Sequence, residues 1–257
     1  MKATHLWVVA GMQGDAESMY SLAMCFIKGN GLPAPDPARG RTILQELAKQ
    51  NHGWSAFSLS SLLTRDVELQ KARGETPDRR TLRKAFRLCK QAAEADVAPA
   101  FLNLFNMYEE GTGTSVNKVA ALGWLKRAAQ SGDPQAQAVL AARLSKGVGM
   151  RKDEKLGFEL YLTSAASGKP QSLYNVACAY FMGNPVPRDL AKAAYYFRQS
   201  AEAGFYPAMM NLGNMLQYGQ GVPVVRSDRC APVVASPVSS TCVHCCVMGW
   251  CRIVGLR

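Results

Sequence analysis

The chain has 257 residues, and its 30 Lys and Arg against 19 Asp and Glu give a formal net charge of +11. Hydrophobic residues make up 48% and charged residues 19%, which is typical of a folded globular protein and excludes disorder over the whole length. One apolar stretch, Cys242 to Cys251, is too short to span a bilayer, since a spanning helix needs roughly 17–25 apolar residues. We therefore expect no membrane insertion, no signal peptide and a cytoplasmic location.

A tight turn recurs along the chain and predicts an internal repeat. The six turns are placed at Gly14, His52, Asp96, Gly132, Gly168 and Gly204. The last three intervals are each 36 residues long, which an irregular bundle of helices would not require. The repeats therefore close near residues 52, 96, 132, 168 and 204, and the last one is incomplete.

Each turn is followed by a helix whose apolar side is set by two columns of residues. The small column contains Ser18, Ala56, Ala100, Ala136, Ser172 and Ala208. The larger column, four residues later, contains Leu22, Ser60, Leu104, Leu140, Val176 and Leu212. Residues at this spacing lie on one side of an α-helix, and they predict the packed side of the first helix in each repeat.

The first helix ends at a glycine, and a second helix follows after a short polar loop. The glycines are Gly29, Gly111, Gly147, Gly183 and Gly219, and glycine readily adopts the left-handed conformation that closes a helix. Capping residues for the second helix are predicted at Thr81, Asn117, Asp153 and Asp189. In the second repeat Val67 stands where the glycine is expected, so we expect an extended helix there and an exposed loop at residues 74–77.

One pair of helices cannot bury its apolar side alone, whereas stacked pairs share a continuous core. The predicted fold is therefore all-α, a right-handed α-α superhelix (solenoid) of about six helix pairs over residues 1–221. The pattern stops in residues 222–257, which are rich in Cys, Val and Ser. We expect an irregular, disordered tail there, of the kind that an alternative exon or a shifted reading frame would produce.

The repeat resembles the Sel1-like repeat family, which is related to the tetratricopeptide repeats. The resemblance rests on the helix and glycine turn of Ala100 to Gly113 and on the Ala-Ala-x-x-Gly close at Ala128 to Gly132. The 36-residue step also suits this family. The resemblance implies a non-catalytic scaffold or adaptor that holds a partner polypeptide on the concave face of the solenoid.

Asparagines recur on the side of the first helices that faces away from the packed columns, which is the concave groove in related superhelices. They are Asn103, Asn106, Asn175, Asn211 and Asn214. An amide both donates and accepts hydrogen bonds, so a row of asparagines suits an extended peptide backbone. The alternative is that these asparagines only fix local helix contacts.

A second candidate surface is a basic ridge with six cations and no acid. Its residues are Arg79, Arg80, Arg83, Lys84, Arg87 and Lys90. On a helix several of these stack one turn apart, so the ridge could take an acidic peptide, a phosphate or RNA. The ordinary alternative is a solvated helix face, and no aromatic platform accompanies the cations as single-stranded RNA binding would favour.

The cysteines and histidines of the sequence do not predict a metal site or a catalytic site. In the tail, Cys242 and Cys245 with His244, Cys246 and Cys251 offer only one ligand pair, so we expect no metal there. Some bacterial Sel1-like proteins are cysteine-rich, with a disulfide in each repeat and an associated penicillin-binding or β-lactamase role. Here Cys25, Cys89 and Cys178 lie at non-equivalent positions, so that role is not expected.

The sequence therefore predicts a protein that is not an enzyme. It contains no phosphate-binding loop, nucleophile elbow or zinc-protease motif, so we expect no cofactor and no small-molecule substrate. The expected partner is a protein or peptide, with acidic partners favoured by the net charge of +11. The alternative function is an RNA- or phosphate-binding helical repeat protein that uses the basic ridge.

Overall fold

The computed structural model describes residues 14–30 and 34–222, and within these ranges it contains eleven α-helices and no strand. The helices are α1 (Ala16–Lys28), α2 (Pro37–Lys49), α3 (Gly53–Ala72), α4 (Arg79–Glu94), α5 (Ala98–Glu110), α6 (Lys118–Gln130), α7 (Pro134–Lys146), α8 (Glu154–Ala166), α9 (Pro170–Met182), α10 (Leu190–Glu202) and α11 (Tyr206–Tyr218). The chain divides into two compact units between Ser131 and Gly132. The predicted tail, with its cysteines and His244, lies outside the described residues except for residue 222.

Within each unit, every helix packs against the next one along the chain. A first helix and a second helix form one repeat, so α1 to α6 make three repeats in the N-terminal unit. The C-terminal unit contains two further repeats, α7 to α10, and the first helix of a sixth, α11. The prediction of an all-α repeat solenoid is confirmed.

The glycines predicted to end the first helices do so. Gly29, Gly111, Gly147, Gly183 and Gly219 are the C-caps of α1, α5, α7, α9 and α11, and all have φ between 64° and 76°. An L-residue with a side chain is strained in this left-handed region, whereas glycine is not. The glycine spacing in the sequence therefore gives the ends of these helices directly.

Side-chain caps begin the second helices, and one of the predicted caps is wrong. Asn117, Asp153 and Asp189 accept hydrogen bonds from the first turns of α6, α8 and α10, as predicted. For α4, however, the cap is Asp78, and the N–H and Oγ1 of Thr81 both donate to its carboxylate. Hydrogen bonds from the N–H of Arg80 and from Thr81 stabilise the charged carboxylate of Asp78, and they therefore lower its pKa.

The register of the second repeat is one residue earlier than predicted. Asn51, not His52, is the left-handed residue of the turn, with φ 63°, and asparagine tolerates this conformation better than most residues. His52 instead caps α3, because its Nδ1 accepts from the N–H of Ser55 at 3.3 Å. The packed columns of α3 shift accordingly: Ser55 and Leu59 are fully buried and replace Ala56 and Ser60 in their columns.

The same shift places Asp66, rather than Val67, at the missing glycine of the second repeat. Here α3 continues to Ala72, and the Asp66 carboxylate binds the Arg41 guanidinium through two hydrogen bonds of 2.6 and 3.0 Å. Val67 is buried inside the extended helix. The predicted exposed loop at residues 74–77 is confirmed for residues 74–76, with Gly74 at φ 77°, whereas Pro77 is half-buried.

The core of each unit joins neighbouring repeats. In the N-terminal unit, the fully buried side chains Ala23, Leu44 and Leu59 form a cluster that connects α1, α2 and α3. In the C-terminal unit, Phe197, Leu212 and neighbouring alanines connect α9, α10 and α11. Burial of apolar surface between repeats therefore holds each row of helices together.

Small residues on the second helices allow close approach to the first helices. Ala85, Ala121 and Ala193 occupy equivalent positions and are fully buried. Gly40 holds this position in α2, where an added Cβ would lie 2.6 Å from Ile27 Cγ1. These small residues therefore lie where each second helix contacts the preceding helix.

Candidate functional site: the first-helix stripe and a groove between second helices

The predicted asparagine stripe lies on α5 in the N-terminal unit. Asn103 and Asn106 are exposed and stand about one turn apart on this helix. Phe101, Leu104 and Phe105 of the same helix are buried, so the exposed amides stand on a firmly packed element. This pair can donate to and accept from another chain without a change in the helix.

In the C-terminal unit the predicted asparagines have different surroundings. Asn211 of α11 donates through Nδ2 to the hydroxyl of Tyr174 on α9, at 3.3 Å. Asn175 is half-buried and accepts from Gln171 Nε2 at 3.5 Å, whereas Asn214 is exposed. Asn211 therefore contributes to the contact between neighbouring repeats.

An equivalent contact exists in the N-terminal unit and explains why Asn103 differs from Asn211. Tyr20 of α1 and Ser58 of α3 occupy the positions of Tyr174 and Asn211, and their hydroxyl oxygens lie 3.0 Å apart. One repeat later the same two positions hold Phe57 and Asn103. Phenylalanine offers no hydroxyl, so the contact that Asn211 makes is not available to Asn103.

The basic ridge lies on α4, as predicted, with all six cations exposed. Lys90 pairs with Glu94 at 3.7 Å on the same helix. The buried side of α4 carries Ala85 and Cys89, so the cations project from the opposite side. Burial raises the pKa of Cys89 to about 12, which keeps its thiol protonated and unreactive at neutral pH.

A feature of the N-terminal unit that the sequence analysis missed is an arginine that lies over two aromatic rings. The Arg127 guanidinium of α6 lies 4.6 Å from the ring centre of Phe101 and 4.9 Å from that of Trp124. Its Nη2 also donates to Asp96 Oδ1 at 2.9 Å. Arg127, whose side chain is 47% exposed, thus links its own helix to the turn that closes the preceding repeat.

In the C-terminal unit the equivalent place is an open groove of about 520 Å³ between α8 and α10. The residues 72 positions after Asp96, Phe101, Trp124 and Arg127 all line this groove: Gly168, Leu173, Tyr196 and Gln199. Gly168 has no side chain to offer, and Gln199 Nε2 donates to the hydroxyl of Tyr195 at 2.7 Å. Gly168 and Gln199 therefore form no pair equivalent to Arg127–Asp96 in this groove.

Within the described ranges no group of three or more His, Cys, Asp or Glu residues is arranged to hold a metal ion. The three described cysteines, Cys25, Cys89 and Cys178, carry free thiols. The tail cysteines and His244 lie outside the described residues. No helix in the described part of the chain combines the length and apolar character that crossing a membrane requires.

Comparison with known proteins agrees with the repeat pattern. A family model for the Sel1 repeat matches residues 16–52, 74–97, 99–133, 134–169, 170–205 and 207–228. The gap between the first two matches contains the extended helix α3. Proteins of this family are generally protein-interaction scaffolds and are typically non-catalytic.

Three similar proteins come from bacteria. An uncharacterized protein of Neisseria meningitidis is 26% identical over 186 residues, covering 72% of this chain and 36% of that protein. The crystal structure of a protective antigen of uropathogenic Escherichia coli, which displays an SLR fold, is 26% identical with a TM-score of 0.68, covering 86% of this chain and 45% of the other. A Sel1 repeat protein from Oxalobacter formigenes is 23% identical with a TM-score of 0.67, covering 84% of this chain and 83% of the other.

This chain spans less than half the length of the Neisseria protein and of the Escherichia coli antigen. The helix pairs, the glycine C-caps and the six matched segments agree with one another along the described residues. The chain belongs to the Sel1 repeat family.

Proposed function

We propose that this protein is a non-catalytic scaffold that binds a partner polypeptide on the face lined by the first helices, the face predicted to be concave. The observation that carries the proposal is the exposed pair Asn103 and Asn106 on α5. The pair lies on a helix fixed by buried Phe101 and Leu104. Because the helix is already ordered, binding loses little conformational entropy on the side of the scaffold.

The chemistry of this surface suits a main chain. Each amide can donate and accept one hydrogen bond to an extended backbone, and Trp54, which is exposed on α3 in the same unit, offers apolar surface. In the C-terminal unit, Asn214 is the exposed asparagine of the corresponding stripe, since Asn211 contacts Tyr174. We therefore assign partner binding to Asn103, Asn106 and Asn214, and a structural role to Asn211.

The test is retention of partner proteins by the immobilised full chain, quantified by mass spectrometry. In the double variant Asn103→Ala/Asn106→Ala, partner affinity should fall roughly tenfold, because two hydrogen bonds of ordinary strength are lost. The matched control is Lys126→Ala/Gln130→Ala, which removes two exposed polar groups one turn apart on α6. Equal retention of the same proteins by the asparagine variant and by the control would contradict the proposal.

The alternative function, binding of RNA or phosphate by the basic ridge, is favoured by one observation. All six cations of α4 are exposed, and only Lys90 has an acidic partner in an ion pair among the described residues. If this alternative holds, a labelled single-stranded RNA binds the full chain, and its affinity falls steeply with salt. An Arg83→Gln/Arg87→Gln variant would then weaken RNA binding and leave retention of polypeptide partners unchanged.

A further inference from the structure

We propose that the groove between the second helices α8 and α10 binds an arginine side chain of a polypeptide partner, at a surface other than the asparagine stripe of the first helices. This inference rests on the proposed scaffold function and names a chemical feature of the partner. It starts from the N-terminal unit, where the protein itself places the Arg127 guanidinium over Phe101 and Trp124 and pairs it with Asp96. The equivalent place in the C-terminal unit has room for such a group.

The walls of the groove keep an aromatic ring at the place of Trp124 but not at that of Phe101. Tyr196 stands in the place of Trp124, and Tyr195 meets its ring edge-to-face at 5.3 Å. Leu173 replaces Phe101 as the apolar floor. Electron-rich ring faces attract a guanidinium, and both tyrosines line the groove, with one face of Tyr196 stacked against Tyr180 at 5.9 Å.

The charge needed to pair with a guanidinium comes from a different residue. Gly168 replaces Asp96 and contributes no carboxylate, but Glu202 of α10 lines the groove. Among the residues described as lining it, Glu202 is the one with a charge. The charged residue of the lining is therefore an acid although the whole chain carries +11, and it favours a cation over an anion.

Arginine suits this site better than lysine because its planar group can stack on a ring and donate to a carboxylate at the same time. The Gln199 side chain also lines the groove, and its Nε2 donates a hydrogen bond to the Tyr195 hydroxyl at 2.7 Å. Its carbonyl oxygen can accept a hydrogen bond from an incoming guanidinium.

The test is a titration of the full chain with the peptide acetyl-Gly-Ser-Arg-Ser-Gly-amide, followed through the backbone amide signal of Gly168 by NMR. The control peptide carries citrulline, which has the shape of arginine without its charge. We expect saturable shifts at Gly168 and in the rings of Tyr195 and Tyr196, with at least roughly fivefold weaker binding of the citrulline peptide.

Two variants and one control variant make the assignment specific. Gly168→Asp/Gln199→Arg introduces the equivalent of the Arg127–Asp96 pair, which would compete for the groove and should abolish binding. Asp96 shows that aspartate adopts this left-handed turn, with φ 61°. Glu202→Gln keeps the shape of the groove and should weaken binding at least roughly fivefold. The control is Glu159→Gln, an equal change of charge at an exposed position outside the lining of the groove. It should leave the affinity for the arginine peptide within about twofold of that of the unmodified protein.

Equal binding of both peptides, or a Glu202→Gln variant that binds as the unmodified protein does, would overturn the assignment even if the double variant failed to fold. Absence of saturable shifts at Gly168 would overturn it as well. None of these results would affect the asparagine stripe, since retention of partners sensitive to Asn103 and Asn106 is measured separately. Conversely, peptide binding in the groove without any retained polypeptide would contradict the scaffold function alone.

Discussion

Replacing Leu59 by alanine is expected to lower the free energy of unfolding by about 2–5 kcal/mol. Leu59 is fully buried and packs in the cluster that joins α1, α2 and α3. Removal of its side chain loses apolar contact and leaves a cavity between the first two repeats. The measurement is urea unfolding of the full chain, followed by far-UV circular dichroism.

The matched control for this prediction is Leu69→Ala on the same helix. Leu69 is 47% exposed, so the same chemical change there should alter the free energy of unfolding by no more than about 0.5 kcal/mol. The pair also tests the register of the second repeat, since Leu59 and not Ser60 is assigned to its packed column. A loss at Leu59 no larger than the loss at Leu69 would refute that register.

Replacing Gly113 by alanine is expected to lower the free energy of unfolding by about 2–4 kcal/mol. Gly113 has φ 73°, so an alanine there is strained by the backbone conformation alone. In addition, the Cβ of the alanine would overlap the carbonyl oxygen of Leu82 on α4. This oxygen belongs to the backbone, so the clash cannot be relieved by rotation of a side chain. The loop after α5 would have to move off α4.

Gly74→Ala separates these two causes. Gly74 has nearly the same backbone conformation, with φ 77°, but an added Cβ would meet no atom within 4 Å. Its expected cost is therefore only that of the left-handed conformation, about 1 kcal/mol. If the two variants unfold at the same urea concentration, the close approach of the loop to α4 is not present in the protein.

The sequence alone predicted much of the fold because glycines occur at the helix ends and at most of the turns between repeats. A left-handed helix end strongly favours glycine, and the 36-residue step from Gly132 to Gly168 and Gly204 fixes the spacing of the repeats. The second repeat was misplaced by one residue because its turn contains no glycine. Both Asn51 and His52 are polar, and only the tolerance of asparagine for positive φ favours Asn51.

The cap of α4 was misplaced for a related reason. Asp78 and Thr81 are three residues apart and both can cap a helix, so the repeat spacing favoured Thr81 while the helix begins a turn earlier. A prediction from the repeat spacing assumes that all second helices have the same length, but α4 is longer than the equivalent helices of the later repeats. Local capping chemistry therefore decides such a boundary more reliably than the repeat length does.

The candidate sites were predicted less completely than the fold. The sequence located the asparagines, but the difference between Asn103 and Asn211 depends on whether Phe57 or Tyr174 lies opposite. The exchange of Arg127 for Gln199, 72 residues apart, was visible in the sequence as a signal for the groove. Its meaning required the observed contact between Arg127 and the rings of Phe101 and Trp124.

The most direct measurement of the repeat architecture is a set of backbone chemical shifts for the full chain, since Cα and C′ shifts report φ and ψ residue by residue. The account predicts helical shifts throughout α1 to α11 and left-handed values at Asn51, Asp96, Gly132, Gly168 and Gly204. Extended shifts within these helices, or uninterrupted helical shifts through those turns, would contradict a chain built from repeated helix pairs.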